Sequence, residues 1–309
     1  MFKFIFTITL FLIVNIAFSQ TSDTLFVESD GLKLHTVLTT PEKANKRALA
    51  IIIAGSGPTD LNGNQQRAMN NSLLLLSDEL VKNNIATVRF DKRGVAKSYY
   101  PGFSESSLRF ENYADDIVSL VNFYSARGFK KIYLIGHSEG SLLGLIASEK
   151  SKIKGFVSLC GAGNPIDITL KNQLKPKMPP AMFSEAESII DSLKSGFLVK
   201  KVSPQMNMLF RPSVQPYMIS WFKHDPAEYV KNLNVPLMIV QGEKDIQVDM
   251  HEAEILKNAS QKSTFVIVKN MNHVLKTIQG DMNENVASYS NTTLPVNSEL
   301  VTAMVNFIK

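Results

Sequence analysis

The chain has 309 residues, 44% hydrophobic and 20% charged, with a net charge of +5. That is the composition of an ordinary globular protein and excludes a low-complexity or collagen-like chain. Its one cysteine, Cys160, excludes an intrachain disulfide, and the scattered lysines (Lys130, Lys131, Lys150, Lys152, Lys154) form no aromatic-interleaved basic stripe, which argues against a nucleic-acid partner.

Met1-Phe2-Lys3, an apolar block over 4–18 and a polar turn from Ser19 read as a secretory signal peptide. Ala17-Phe18-Ser19 marks its cleavage site, leaving Gln20 as the new N-terminus of an exported protein. The block is shorter than the about 20 residues a spanning helix needs, and Asn15 lies inside it. No stable membrane insertion is therefore expected after cleavage.

Short apolar, β-branched runs at 32–39, 48–54, 85–90, 132–135, 156–159, 236–240 and 265–268 read as strands. Between or after them, 72–82, 113–125, 142–148, 251–259 and 300–308 carry apolar residues at helical spacing. Such alternation builds an α/β fold with a mostly parallel sheet flanked by helices. One stretch breaks the rhythm. Residues 164–232 contain no strong strand, are punctuated by prolines from Pro165 to Pro226, and supply adaptable apolar surface through Met178, Met182, Phe210, Met218 and Trp221. The expected division is a signal segment at 1–19, a core at 20–163 and 233–309, and an inserted helical cap at 164–232.

Gly136-His137-Ser138-Glu139-Gly140 follows the strand at 132–135 and opens a helix, the G-x-S-x-G nucleophile elbow. A serine hydroxyl is a poor nucleophile at neutral pH, so a sharp turn must present it to a base, and the base needs an acid to hold its tautomer. Asp245 follows the strand at 236–240 and His273 the strand at 265–268, so Ser138, Asp245 and His273 all fall at carboxyl ends of strands. His137 reads as packing; His35, His224 and His251 follow no late strand; Asp249 lies farther from its strand than Asp245. The small residues of Gly55-Ser56-Gly57-Pro58 allow close backbone approach, making the amides of Ser56 and Glu139 the candidate oxyanion donors. The Glu139 carboxylate reads as solvated or locally paired, and Asp91-Lys92-Arg93-Gly94 with Ser98 as scaffold. No metal-ligand spacing, P-loop or dinucleotide pattern occurs, so neither cofactor nor metal is expected.

Gly55-Ser56-Gly57-Pro58-Thr59-Asp60 with Asn62-Gly63-Asn64, then Phe90-Asp91-Lys92-Arg93-Gly94, the elbow at Ser138, Gly242-Glu243-Lys244-Asp245 and Asn272-His273 resemble the α/β-hydrolase superfamily from residue 32 onward. They look most like bacterial serine carboxylesterases with a helical lid. The resemblance implies hydrolysis of a small-molecule ester through an acyl-enzyme, without cofactor or metal. One departure is Ala54-Gly55, where many relatives carry His-Gly. A serine nucleophile argues against the dehalogenase and epoxide-hydrolase branches. An aminopeptidase, an acyltransferase or thioesterase, and a non-catalytic exported binding protein are the alternatives, and the oligomeric state is left open.

Overall fold

A computed structural model describes residues 20–42 and 48–309; the signal-peptide reading lies outside them. The chain opens with a hairpin, β1 (Gln20–Ser29) and β2 (Leu32–Pro41), turned by Asp30 and Gly31. Both turn residues have positive φ (48° and 75°), the backbone hand that matches strand twist in a two-residue loop. Then come β3 (Ala48–Ile53), α1 (Ser72–Lys82), β4 (Ala86–Phe90), α2 (Phe110–Ala126), β5 (Lys131–His137), α3 (Glu139–Lys150) and β6 (Gly155–Leu159). Five helices follow without a strand: α4 (Ile166–Leu174), α5 (Pro180–Lys194), α6 (Asn207–Phe210), α7 (Gln215–Trp221) and α8 (Pro226–Asn232). The chain closes with β7 (Leu237–Gly242), α9 (Met250–Ala259), β8 (Thr264–Val268), α10 (Met282–Ser288) and α11 (Ser298–Ile308).

The sheet has eight strands in the order β1-β2-β4-β3-β5-β6-β7-β8. β1 and β2 run antiparallel at one edge, and β4 through β8 are parallel. Helices cover both faces, so the central strands are buried along nearly their whole length and read as continuous apolar runs. In β3, Leu49, Ile51 and Ile53 face a core shared with Ile117 and Leu120 of α2 and Leu143 of α3. Ala50 and Ile52 face the opposite core, with Leu73, Leu76 and Leu80 of α1 and Leu300 and Met304 of α11. Two cores on either side of one sheet fix the strand ends, and all loops at the carboxyl ends of the parallel strands meet along one rim.

The excursion from α4 to α8 joins the first of these cores through Ile189, Ile190, Leu193, Met206, Phe210 and Phe222. α7 is pinned to α2, where the Trp221 ring stacks on Phe110 at 5.1 Å and Ser220 Oγ accepts the Phe110 N–H at 2.8 Å. Among the described residues no helix is long and apolar enough to cross a membrane.

Candidate active site

β5 ends at His137 and α3 begins at Glu139, leaving Ser138 alone on the turn at φ 55° and ψ −123°. A non-glycine residue there costs about 1–3 kcal/mol and persists only where its surroundings impose it. The surroundings here are strict. The Ser138 N–H donates to Leu159 O and the Ser141 N–H to Ser138 O, each at 2.9 Å. The flanking glycines are sterically required: a Cβ on Gly136 would stand 2.3 Å from Gly140 O, and one on Gly140 would stand 2.5 Å from Ile53 O. Ser138 is half-buried, lines a large cavity, and its hydroxyl makes no hydrogen bond among the described residues.

His273 and Asp245 meet as their positions predict. His273 Nδ1 lies 2.8 Å from Asp245 Oδ2, with 5% and 0% of the two side chains exposed. Asp245 also accepts the backbone N–H groups of Gln247 (2.8 Å) and Val248 (2.9 Å), and Gln241 Nε2 at 3.2 Å. Burial alone would raise this carboxyl, but the His273 ring and the two amides hold it below the ordinary range, so it stays ionised and keeps the histidine's Nδ1 as the protonated nitrogen. Asn272, fully buried, anchors the loop by donating to Asn285 Oδ1 and Ser288 Oγ of α10 at 2.9 and 2.7 Å.

The elbow's own histidine does more than pack. Burial, with His273 beside it, pushes His137 down to about 4, so its ring is neutral at pH 7. Its Nε2–H donates to the His273 carbonyl at 2.8 Å, and the two rings lie 4.9 Å apart. His137 thereby seats the His273 loop against the residue that precedes Ser138. Cys160, with φ 52° at the end of β6, is fully buried behind Asp245. Burial and then the adjacent carboxylate push its thiol up, so it remains S–H. Cys160, Asp245 and His273 bring one potential ligand atom each within 4.8 Å, the only such group among the described residues, and the His273 and Asp245 atoms are engaged with each other.

The rival residues lie elsewhere. His35 pairs with Asp91 at 2.7 Å, His224 bridges Tyr229 and Glu111, exposed His251 sits beside Glu254, and Asp249 caps α9.

Ser56 and Glu139 flank Ser138 on the cavity wall. The Ser56 carbonyl is held from behind by Thr59 Oγ1 and Gln65 Nε2, each at 2.8 Å. The Glu139 N–H stands in the first turn of α3, where no intrahelical acceptor exists. Its carboxylate is buried and paired with Lys92 Nζ at 3.2 Å, and its charge, after burial, pushes the Tyr217 hydroxyl's pKa up. The segment read as scaffold thus reaches the site through Lys92, while Arg93 pairs with Asp116 (2.7 and 2.9 Å) and Asp91 takes the Leu61 N–H (2.9 Å).

The cavity, of about 630 Å³, lies between these strand-end loops and the helical excursion, which contributes Ile166, Leu170, Phe210, Tyr217, Met218 and Trp221. Five charged residues line it, and each has an opposite partner: Lys92 with Glu139, Arg93 with Asp116, and Arg211 with Glu105.

A strand-turn-helix serine with a histidine-carboxylate pair on the same sheet rim defines the α/β-hydrolase class. The family model described as "Serine aminopeptidase, S33" (Hydrolase_4) matches residues 71–277, and the chain belongs to this family of hydrolases. It is 24% identical over 249 residues to Esterase EstD of Thermotoga maritima, covering 79% of this chain and 58% of that protein's length. Among solved structures, Est1E from Butyrivibrio proteoclasticus with ferulic acid bound superposes with a TM-score of 0.61 at 17% identity, over 92% of this chain and 98% of that one. A proline iminopeptidase from Mycobacterium smegmatis gives a TM-score of 0.58 at 12% identity, over 93% and 100%. These likenesses establish the shared fold.

Proposed function

We propose that the protein is a serine hydrolase of uncharged carboxylic esters. The observation that carries this reading is the buried 2.8 Å contact between His273 Nδ1 and Asp245, set on the rim where Ser138 takes its left-handed turn. In the proposed reaction His273 Nε2 takes the Ser138 proton as Oγ attacks the ester carbonyl carbon. The carbonyl oxygen becomes an oxyanion held by the amides of Ser56 and Glu139. Collapse of that intermediate breaks the C–O bond, and the imidazolium gives its proton to the leaving alcohol. Water, deprotonated by His273, then attacks the acyl carbon, releasing the carboxylic acid and returning the proton to Ser138. Asp245 stays ionised throughout and stabilises the imidazolium. The helical segment at 164–232 serves as the cap that closes the acyl pocket.

The family's description keeps an amide-cleaving reading in play, and the cavity's charge supports the ester. An aminopeptidase needs a carboxylate for the substrate's terminal ammonium, and both cavity carboxylates, Glu105 and Glu139, already have cationic partners. An apolar, charge-balanced pocket suits a neutral ester. Steady-state turnover of p-nitrophenyl acetate against aminoacyl p-nitroanilides tests the choice: kcat/KM should favour the ester, and a higher value for an anilide refutes it. Export, proposed from residues 1–19, predicts a mature N-terminus at Gln20 by mass spectrometry of the exported protein; an intact Met1 refutes it.

A further inference from the structure

Lys92 follows β4, is 2% exposed, and spends its ammonium on two contacts that both lead to the proposed oxyanion donors. The shorter, 2.7 Å, is to the carbonyl oxygen of Gly55. The longer, 3.2 Å, is to the carboxylate of Glu139. We infer that Lys92 is a positioning residue of the oxyanion hole, gripping the Gly55–Ser56 peptide by its carbonyl so that the Ser56 N–H is aimed at the oxyanion. This rests on the assignment of Ser56 and Glu139 in the proposed function.

The peptide unit is planar and trans, with C=O and N–H on opposite edges of one plane. Whatever holds the Gly55 oxygen therefore sets the direction of the Ser56 N–H. The lever is short: a Cβ built on Gly55 would lie 3.1 Å from Ser138 Cβ, so this segment rests close to the stem of the nucleophile's side chain, and a modest rotation would displace the donor. A charge-assisted bond to the carbonyl also polarises the peptide, leaving more positive charge on its N–H end. The grip is itself held. The face of Tyr113 lies 5.0 Å from Nζ, and Tyr217 of α7 shares the cavity wall with Glu139. The network joins the loop after β3, the loop after β4 and the first residue of α3.

The competing role is that of a counter-ion for buried Glu139, and two variants separate them. Lys92→Met keeps the aliphatic stem and removes the charge. Lys92→Met/Glu139→Gln removes the charge without stranding a buried carboxylate, so it folds even where the single variant does not. With p-nitrophenyl acetate, kcat should fall about 30-fold in both variants, short of the 100-fold or more that loss of an oxyanion donor itself costs. KM should stay within about threefold, and the affinity for phenylboronic acid, whose tetrahedral Ser138 adduct places an oxygen in the hole, should fall in parallel with kcat/KM. A double variant that recovers wild-type kcat and boronate affinity makes Lys92 a counter-ion and overturns the inference. Labelling of wild-type Ser138 by a fluorophosphonate is followed alongside: its failure removes the proposed function, whereas labelling with full recovery in the double variant removes only the role of Lys92.

Discussion

Lys276 lies three residues beyond His273 with none of its surface exposed, and the one acceptor of its ammonium among the described residues is the Leu294 carbonyl, at 2.5 Å. Burial pushes it down to about 8 from an ordinary 10.5. At about 1.4 kcal/mol per pKa unit, that drop corresponds to roughly 3 kcal/mol of cost in burying the charge. The unfolded chain holds the proton up to pH 10.5 and the folded chain only to about 8. The cost is therefore fully present below pH 8 and fades as pH rises from 8 to 10.5, so this group's contribution to stability improves with alkalinity. Lys276→Met removes the charge and leaves the Leu294 carbonyl unpaired, a loss of about 1 kcal/mol. The net expectation is a gain of roughly 1–2 kcal/mol at pH 7, largely gone by pH 10.5. Urea unfolding of both proteins at the two pH values measures it. Equal differences at both pH values, or a variant less stable at pH 7, would refute the reasoning.

Three further outcomes follow from the same geometry. Asp245→Asn should lower kcat by about 10³–10⁴ by permitting the wrong His273 tautomer, with the fold intact by circular dichroism; a loss under tenfold would contradict an orienting carboxylate. His137, neutral in the folded protein down to about 4, takes a proton near 6.5 when unfolded, so its contribution to stability should be lost as pH falls from 6.5 towards 4; His137→Gln should flatten that part of the pH–melting curve, and an unchanged slope would refute it. Gly140→Ala would drive a Cβ into the backbone oxygens of Ile53 and Ala54 at 2.5 and 2.8 Å, costing about 2 kcal/mol or more; an unshifted melting temperature would show that the elbow yields easily.

Much of this was legible in the chain because the relevant signals are local. The elbow needs glycines at fixed offsets, and the strands that carry Asp245 and His273 are apolar runs ended by polar loops. Seven of the eight strands lie where their hydrophobic pattern places them. β1 escaped because its first five residues, Gln20 to Thr24, are exposed and polar, as an edge strand allows; Asp30-Gly31, a hairpin signal in its own right, pointed to it. α10 escaped because Met282 and Val286, the apolar residues that would mark it, are exposed, while its buried positions are Asn285 and Ser288. The contacts around the site were not legible for another reason. Lys92 to Gly55, His137 to the His273 carbonyl and Cys160 to Asp245 join residues far apart in sequence, and each looks unremarkable within its own segment. His137 was expected only to pack, yet its ring, kept neutral by burial, also donates to the His273 carbonyl and so holds that loop.

The central claim is that Ser138 carries the acyl group. Rapid mixing with excess p-nitrophenyl acetate, quenching, and peptide mapping by mass spectrometry tests it most directly. The account predicts a burst of nitrophenol stoichiometric with enzyme and one acetyl group on the peptide containing Ser138, both lost in Ser138→Ala. Acetylation at another residue, or turnover retained in Ser138→Ala, would contradict it.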